Sequence, residues 1–171
     1  MTETLTTERL VLRRSEGKDW PQFHAFALSE RSKGIGGPHN LKDAWRKFAY
    51  GVGHWQIFGF GMWIVTTKED DTALALVGPW SPPDWPENEI GWMVLDPAFE
   101  GKGYAFEAAR AALEDAYTRL GWTTAVSYID PDNTRSRALA ERLGAVIDPN
   151  AAAPGTHPSL VYRHPAPQEA A

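Results

Sequence analysis

Between Glu89 and Ala105 the chain reads EIGWMVLDPAFEGKGYA: an apolar run, a glycine-rich turn, then the start of a helix. Gly101, Gly103 and Ala105 are small enough to let the backbone approach a ligand closely. The helix that follows aims its unpaired first amides at the same point, where its dipole favours negative charge. Lys102 adds a cationic side chain, so a phosphate or diphosphate is the natural guest. The same glycine spacing also suits a plain tight strand–helix connection. Two common phosphate motifs do not fit. A Walker A loop needs Ser or Thr after Gly-Lys, where Gly103 stands, and a dinucleotide fingerprint needs a third glycine, where Phe106 stands.

Other chemistries are excluded by composition. The 171 residues contain no cysteine, which removes disulfides, thiolate metal sites and a thiol nucleophile. The histidines, His24, His39, His54, His157 and His164, have no metal-ligand spacing and read as surface residues, so no metal is expected. With 17 basic against 22 acidic residues the net charge is −5, which argues against a nucleic-acid partner. The opening MTETLTTERLVLRR has no apolar stretch of signal type, and the uncharged run Phe58–Val65 is too short for a bilayer. A cytoplasmic chain with no membrane partner is expected. Eight tryptophans, four of them from Trp63 to Trp92, read as packing residues.

The elements that must position the glycine turn follow from periodicity. Leu10–Arg14 reads as a first strand. Asp19 reads as the N-cap of a helix carrying Trp20, Phe23, Phe26, Ala27 and Leu28. A glycine- and proline-rich loop spans 31–40, and Asn40 caps a helix with Leu41, Trp45, Phe48 and Ala49 on one face. Aromatic and β-branched content predicts a strand over His54–Thr67, then a turn at 68–71 and a return strand Thr72–Gly78. After the loop PWSPPDWPE (79–87) comes a strand at 89–95. A helix then runs over Tyr104–Leu120, burying Ala105, Ala109, Ala112, Leu113, Ala116 and Leu120, with Glu107, Arg110 and Glu114 wet. Trp122–Ile129 reads as a strand and Thr134–Leu143 as a helix. Short strands at Ala145–Ile147 and Ser159–Arg163 follow, and the tail 165–171 frays. One domain over 1–171 is expected.

Glu100-Gly101-Lys102-Gly103-Tyr104-Ala105 resembles the Gln/Arg-x-x-Gly-x-Gly/Ala loop of the GNAT superfamily of acetyl-CoA-dependent N-acetyltransferases. Asn133-Thr134-Arg135-Ser136 ahead of ALAERLGA resembles that family's Asn-x-x-Ala/Ser helix, and ETLTTERLVLRR is similar to the branch of ribosomal-protein alanine N-acetyltransferases. The likeness is specific over 89–145 and weak over 15–65. It implies an α/β fold whose mixed, mostly antiparallel sheet is flanked by helices and splayed between the two strands that hold the cofactor. It further implies acetyl-CoA as cosubstrate. The backbone of Met93, Val94 and Leu95 would pair with the pantetheine arm, and Gly101, Lys102, Gly103, Tyr104 and Ala105 would hold the diphosphate. Asn133 and Ser136 would contact the cofactor. A bulge within 89–95 would aim an amide near Met93 or Val94 at the thioester oxygen.

Two positions depart from the family pattern. Glu100 replaces Gln or Arg and must point away from a diphosphate. Ala140 stands where many members carry a tyrosine that protonates the departing thiolate, leaving Ser136 or a water. Glu89, at the start of its strand, is the candidate base. Asn133 is also an N-cap by type.

Residues 1–50 hold nine basic and six acidic groups, so the rest of the chain is strongly acidic. Asp84, Glu87, Glu89, Asp96 and Glu100 are uninterrupted by a base, which suggests an acidic mouth drawing in a cationic amine, with Trp80 and Trp85 as its walls. The acceptor would be a small-molecule amine or a peptide N-terminus, with direct transfer in the absence of cysteine. A non-catalytic acetyl-CoA-binding or sensing module and a nucleotide-phosphate binder are the alternatives. A homodimer is possible, since dimers are common in that family.

Overall fold

The computed structural model describes residues 3–155 and 157–167, so 168–171 of the expected frayed tail lie outside the described residues. The strands are β1 (Thr4–Thr6), β2 (Leu10–Arg13), β3 (Trp63–Thr67), β4 (Ala75–Trp80), β5 (Glu89–Val94), β6 (Val126–Ile129), β7 (Val146–Ile147) and β8 (Leu160–Arg163). They form one sheet in the order β1-β2-β3-β4-β5-β6-β8-β7. Every neighbouring pair is antiparallel except β5 and β6.

Strand alternation gives the sheet two apolar faces. Leu10, Leu12, Trp63, Val65, Ala75 and Val77 pack under α3 (Tyr104–Thr118), whose Ala108, Ala109 and Ala112 let the helix axis come close. Ile64, Leu76 and Leu95 face the other way, against Phe23, Phe26 and Ala27 of α1 (Trp20–Ala27) and Ala44 and Phe48 of α2 (Leu41–Phe58). The fourth helix, α4 (Thr134–Arg142), lies by β6, with Ala140 buried against Ile129, Ala145 and Tyr162.

Several expected boundaries move. Residues 54–58, expected to begin a strand, are the last turn of α2, and β3 starts only at Trp63. Packing overrides the strand preference of the aromatics here: Trp55 reaches Trp63, with ring centroids 4.5 Å apart, and donates its indole N–H to Met62 O. Gly59, at φ 75°, then ends the helix. The strand expected at 72–78 runs from Ala75 to Trp80, and the one expected from Trp122 begins at Val126. Strand β1, at the sheet edge, was not anticipated.

Charged groups expected at the surface are drawn inward. Asp19 makes no side-chain cap on α1; its carboxylate takes both Nη1–H and Nη2–H of the buried Arg13 at 2.8 Å. Glu107, expected to be wet, accepts from Thr7 Oγ1 (2.6 Å) and from the main-chain N–H (2.8 Å) and Nε–H (2.7 Å) of Arg9. His54 and His164 are buried rather than exposed. His54 is satisfied by Phe60 O at Nδ1 and by Ser81 N–H at Nε2.

The Arg13–Asp19 pair is almost dry, with side chains 9% and 2% exposed. Asp19→Ala strands the guanidinium against a single remaining carboxylate, Asp71, and should lower stability by about 3 to 5 kcal/mol in urea unfolding.

Candidate functional site

The two parallel strands meet at a single register point, Glu89 opposite Val126, and then separate. Val126 N–H donates to Asn88 O at 3.0 Å, and beyond that side chains replace the ladder. Ser127 Oγ donates to Ile90 O at 2.6 Å and lies 2.8 Å from Nε2 of the buried His164. Burial pushes the His164 imidazole down to about 4, so it stays neutral near pH 7.

The register between β4 and β5 runs unbroken from Ala75 opposite Val94 to Trp80 opposite Glu89. The ladder is therefore regular over 89–94, and the bulge expected within 89–95 falls at its end, beyond Met93 and Val94. The irregularity comes at the exit, where the amides of Leu95 and Asp96 both donate to Leu74 O, at 2.9 and 3.1 Å. Within the strand the distortion falls on β4 instead: Gly78, opposite Gly91, takes φ 145°, and a Cβ there would lie 2.9 Å from the Trp63 ring. Alternation in an antiparallel pair then decides which groups face the opening. Leu95 N–H is spent on β4 and Met93 is turned toward Leu76, whereas Trp92 and Val94 direct their main-chain groups into the gap. Of the three expected backbone contacts Val94 faces the gap, and Trp92 joins it.

Glu89 sits at the apex. Its Oε2 accepts the Trp85 indole N–H at 2.6 Å, and its carboxylate also receives the Tyr128 main-chain N–H, which the missing ladder leaves free. The group is partly accessible yet enclosed by protein. Burial pushes its pKa up to about 7, against the opposing pull of these two donors. Gly91, two residues on and on the same face, would place a Cβ 3.5 Å from Glu89 Oε1 and 3.4 Å from Met62 Cε, so its lack of a side chain leaves room beside the carboxylate. The Tyr128 phenol nearby has a buried oxygen without a hydrogen-bond partner among the described residues and is pushed up to about 12 by burial. Sequence reasoning missed Tyr128, Trp92 and Ser127, because nothing local distinguishes a strand residue beside a gap from one inside a ladder.

At the other end of the gap Gly101 (φ 72°) and Gly103 (φ 77°) take left-handed conformations. Gly103 precedes Tyr104 without any side-chain cap on α3, so the amides beginning at Tyr104 and Ala105 stay available. Among the described residues, a Cβ at Gly101 would meet nothing within 4 Å, and one at Gly103 only Arg9 Nη2 at 3.5 Å. The cradle is open outward. Lys102 is exposed at its rim, and Arg9 holds the turn from behind through Lys102 O (2.8 Å) and the Tyr104 ring (4.7 Å).

Asn133 caps α4 through Oδ1, which accepts from Ser136 N–H at 3.1 Å. Ser136 Oγ accepts the Trp92 indole N–H at 3.0 Å across the gap, so its own proton has no acceptor among the described residues. Ala140 is fully buried.

Two members of the expected acidic mouth, Glu87 and Glu100, are neutralised by bases distant in sequence. Glu87 is paired bidentately with Arg163 (2.8 and 2.9 Å), which holds its carboxyl below the usual range. Asp96 caps the short turn Pro97–Phe99, and Glu100 pairs with Arg31 and Arg135. Trp80 stacks on His54, with ring centroids 4.4 Å apart. Among the described residues no three His, Asp or Glu side chains converge as metal ligands.

Residues 9–146 match the family described as the acetyltransferase (GNAT) domain. A crystal structure of an acetyltransferase from Agrobacterium tumefaciens str. C58 is 38% identical, with 96% of this chain and 95% of that one covered and a TM-score of 0.89. The uncharacterized N-acetyltransferase YnaD of Bacillus subtilis (strain 168) is 27% identical over 153 residues, 82% of this chain and 81% of that protein. RimL, a ribosomal L7/L12 alpha-N-protein acetyltransferase solved with coenzyme A, shares the fold at 16% identity, with 95% and 97% coverage and a TM-score of 0.74. The split sheet, the uncapped glycine turn and the matched span together make this chain a member of the GNAT acetyltransferase family.

Proposed function

We propose that this acetyltransferase moves an acetyl group from acetyl-CoA directly to a primary amine, as a cytoplasmic enzyme acting on a small cationic amine or a peptide N-terminus. The observation that carries the reading is Glu89, an enclosed carboxyl with a pKa near 7 at the apex of a gap between two strands. The donor side fits acetyl-CoA: the open cradle at Gly101–Gly103 suits a diphosphate, and the main-chain edge at Trp92 and Val94 that faces the gap suits the amides of a pantetheine arm. The coenzyme A bound by RimL supports the donor assignment, and RimL's own substrate supports a peptide N-terminus as one acceptor class.

In this reading the main-chain N–H of Trp92 or Val94 faces the thioester oxygen and stabilises its developing charge. Glu89 takes a proton from the incoming ammonium, directly or through water, and the free amine attacks. Ser136, whose hydroxyl proton is uncommitted, is positioned to protonate the departing thiolate. With no cysteine in the chain, no acyl-cysteine intermediate forms. The buried Ala140 favours a second reading, a binding module without turnover.

Thiol release from acetyl-CoA with a panel of amines and N-terminal peptides separates the two: turnover is expected, and CoA binding without turnover on any acceptor overturns the enzyme assignment. As a base, Glu89 works ionised, so the rate should rise with pH and level off above about 7. Glu89→Gln should lower kcat about 100-fold and abolish that limb. Trp85→Phe removes a donor that holds the carboxyl down, so the inflection should move to higher pH in the same profile.

A further inference from the structure

Glu100 is the residue least suited to a diphosphate site, and it is not alone. Arg31 Nη2 lies 2.7 Å from Glu100 Oε1, and Arg135 Nη1 lies 2.8 Å from Oε2. The two guanidiniums come from opposite sides of the gap. Arg135 is in the first turn of α4, and Arg31 is on the short 3-10 turn Glu30–Ile35 between α1 and α2. That turn is anchored: Ser29 Oγ accepts from Arg31 N–H at 3.2 Å, and the buried Ser32 donates to Ala27 O at 2.9 Å. Arg31 also reaches Val94 O at 3.4 Å, a carbonyl that faces the gap. Gly34, further along the turn, would place a Cβ 3.9 Å from Asn133 Nδ2. The turn therefore lies across the opening, from the strand to the cap of α4. The two arginines hold Glu100 below the usual carboxylate range, and the trio carries one net positive charge beside the glycine cradle.

We propose that Arg31 and Arg135 are diphosphate ligands of the donor site and that Glu100 competes with the donor's phosphates for them. The inference rests on the acetyl-CoA reading above. Glu100 acts as an internal counter-ion that competes with the phosphates: it keeps two cations at the rim, at the cost of some donor affinity. A guanidinium satisfies carboxylate and phosphate with the same forked geometry, so the exchange needs a rotation of side chains and no new donor. Arg31 must release Val94 O in the same movement, which frees that carbonyl for the pantetheine arm.

The test compares acetyl-CoA with S-acetylpantetheine, which has the same thioester arm without phosphates. Both are read on one preparation, so partial unfolding cancels. For Arg31→Met and Arg135→Met the ratio of kcat/KM for acetyl-CoA to that for S-acetylpantetheine should fall about fivefold or more, and Glu100→Gln should raise it. Calorimetry with CoA should follow the same order without needing turnover. A ratio that stays within about twofold of wild type in the arginine variants overturns the proposal. So does a Glu100→Gln variant that weakens CoA as they do, since the trio would then be a structural clasp. A wild type that fails to bind CoA overturns the donor assignment itself, whereas wild-type binding matched by the arginine variants overturns only the exchange.

Discussion

The structure depends on an unmade ladder. Parallel strands normally satisfy each other's main-chain groups residue by residue, and a buried amide or carbonyl left without a partner is costly. Here β5 and β6 satisfy each other around one register point, and several of the groups beyond it have found a substitute. Ser127 serves Ile90 O, Glu89 serves Tyr128 N–H, and Arg31 serves Val94 O. The Trp92 indole spans the gap to Ser136. The substitutes are polar side chains with titratable or exchangeable protons, so the features that make the gap tolerable also make it polar. Glu89 belongs to this set: the carboxylate that plugs the apex is the one whose burial tunes it toward neutrality.

Electrostatics follows a similar logic at longer range. The acidic stretch from Asp84 to Glu100 looks like an attractive field when read linearly, yet Glu87 is claimed by Arg163 and Glu100 by Arg31 and Arg135, all from distant segments. What remains near the apex is a single carboxyl that changes charge near neutral pH.

The glycine turn, the helix after it and the Asn133 cap were legible in the sequence because each is a local signal: small residues, a breaker, a capping side chain, an apolar period. The splay came from family likeness and not from the residues, since the alternation of β5 reads the same with or without a partner on one edge. The length of α2 was hidden because His54, Trp55, Ile57 and Phe58 have the composition of a strand, and only the contact of Trp55 with Trp63 assigns them to a helix. Which backbone groups of β5 face the gap required the register with β4, a fact about Leu74 and Leu95 that spacing within either strand does not contain. The partners of Glu100 were out of reach for the same reason: Arg31 is 69 residues away and in a segment with little recognisable pattern.

The strand order carries a consequence for how the molecule comes together. β8, the last strand in chain order, lies inside the sheet, between β6 and β7. Arg163 on it ties Glu87, Thr124 and Asp148 together, which are the approach to β5, the approach to β6 and the exit from β7. During synthesis the half of the sheet built on β1 to β5 has all its neighbours before the ribosome reaches residue 160, while β6 waits with a bare edge. The wall of the gap that includes β6 is thus a late event, closed by a keystone strand rather than extended outward. A nascent chain halted shortly before that strand would own Glu89 and the glycine cradle but not the strand that closes the far side of the slot between them.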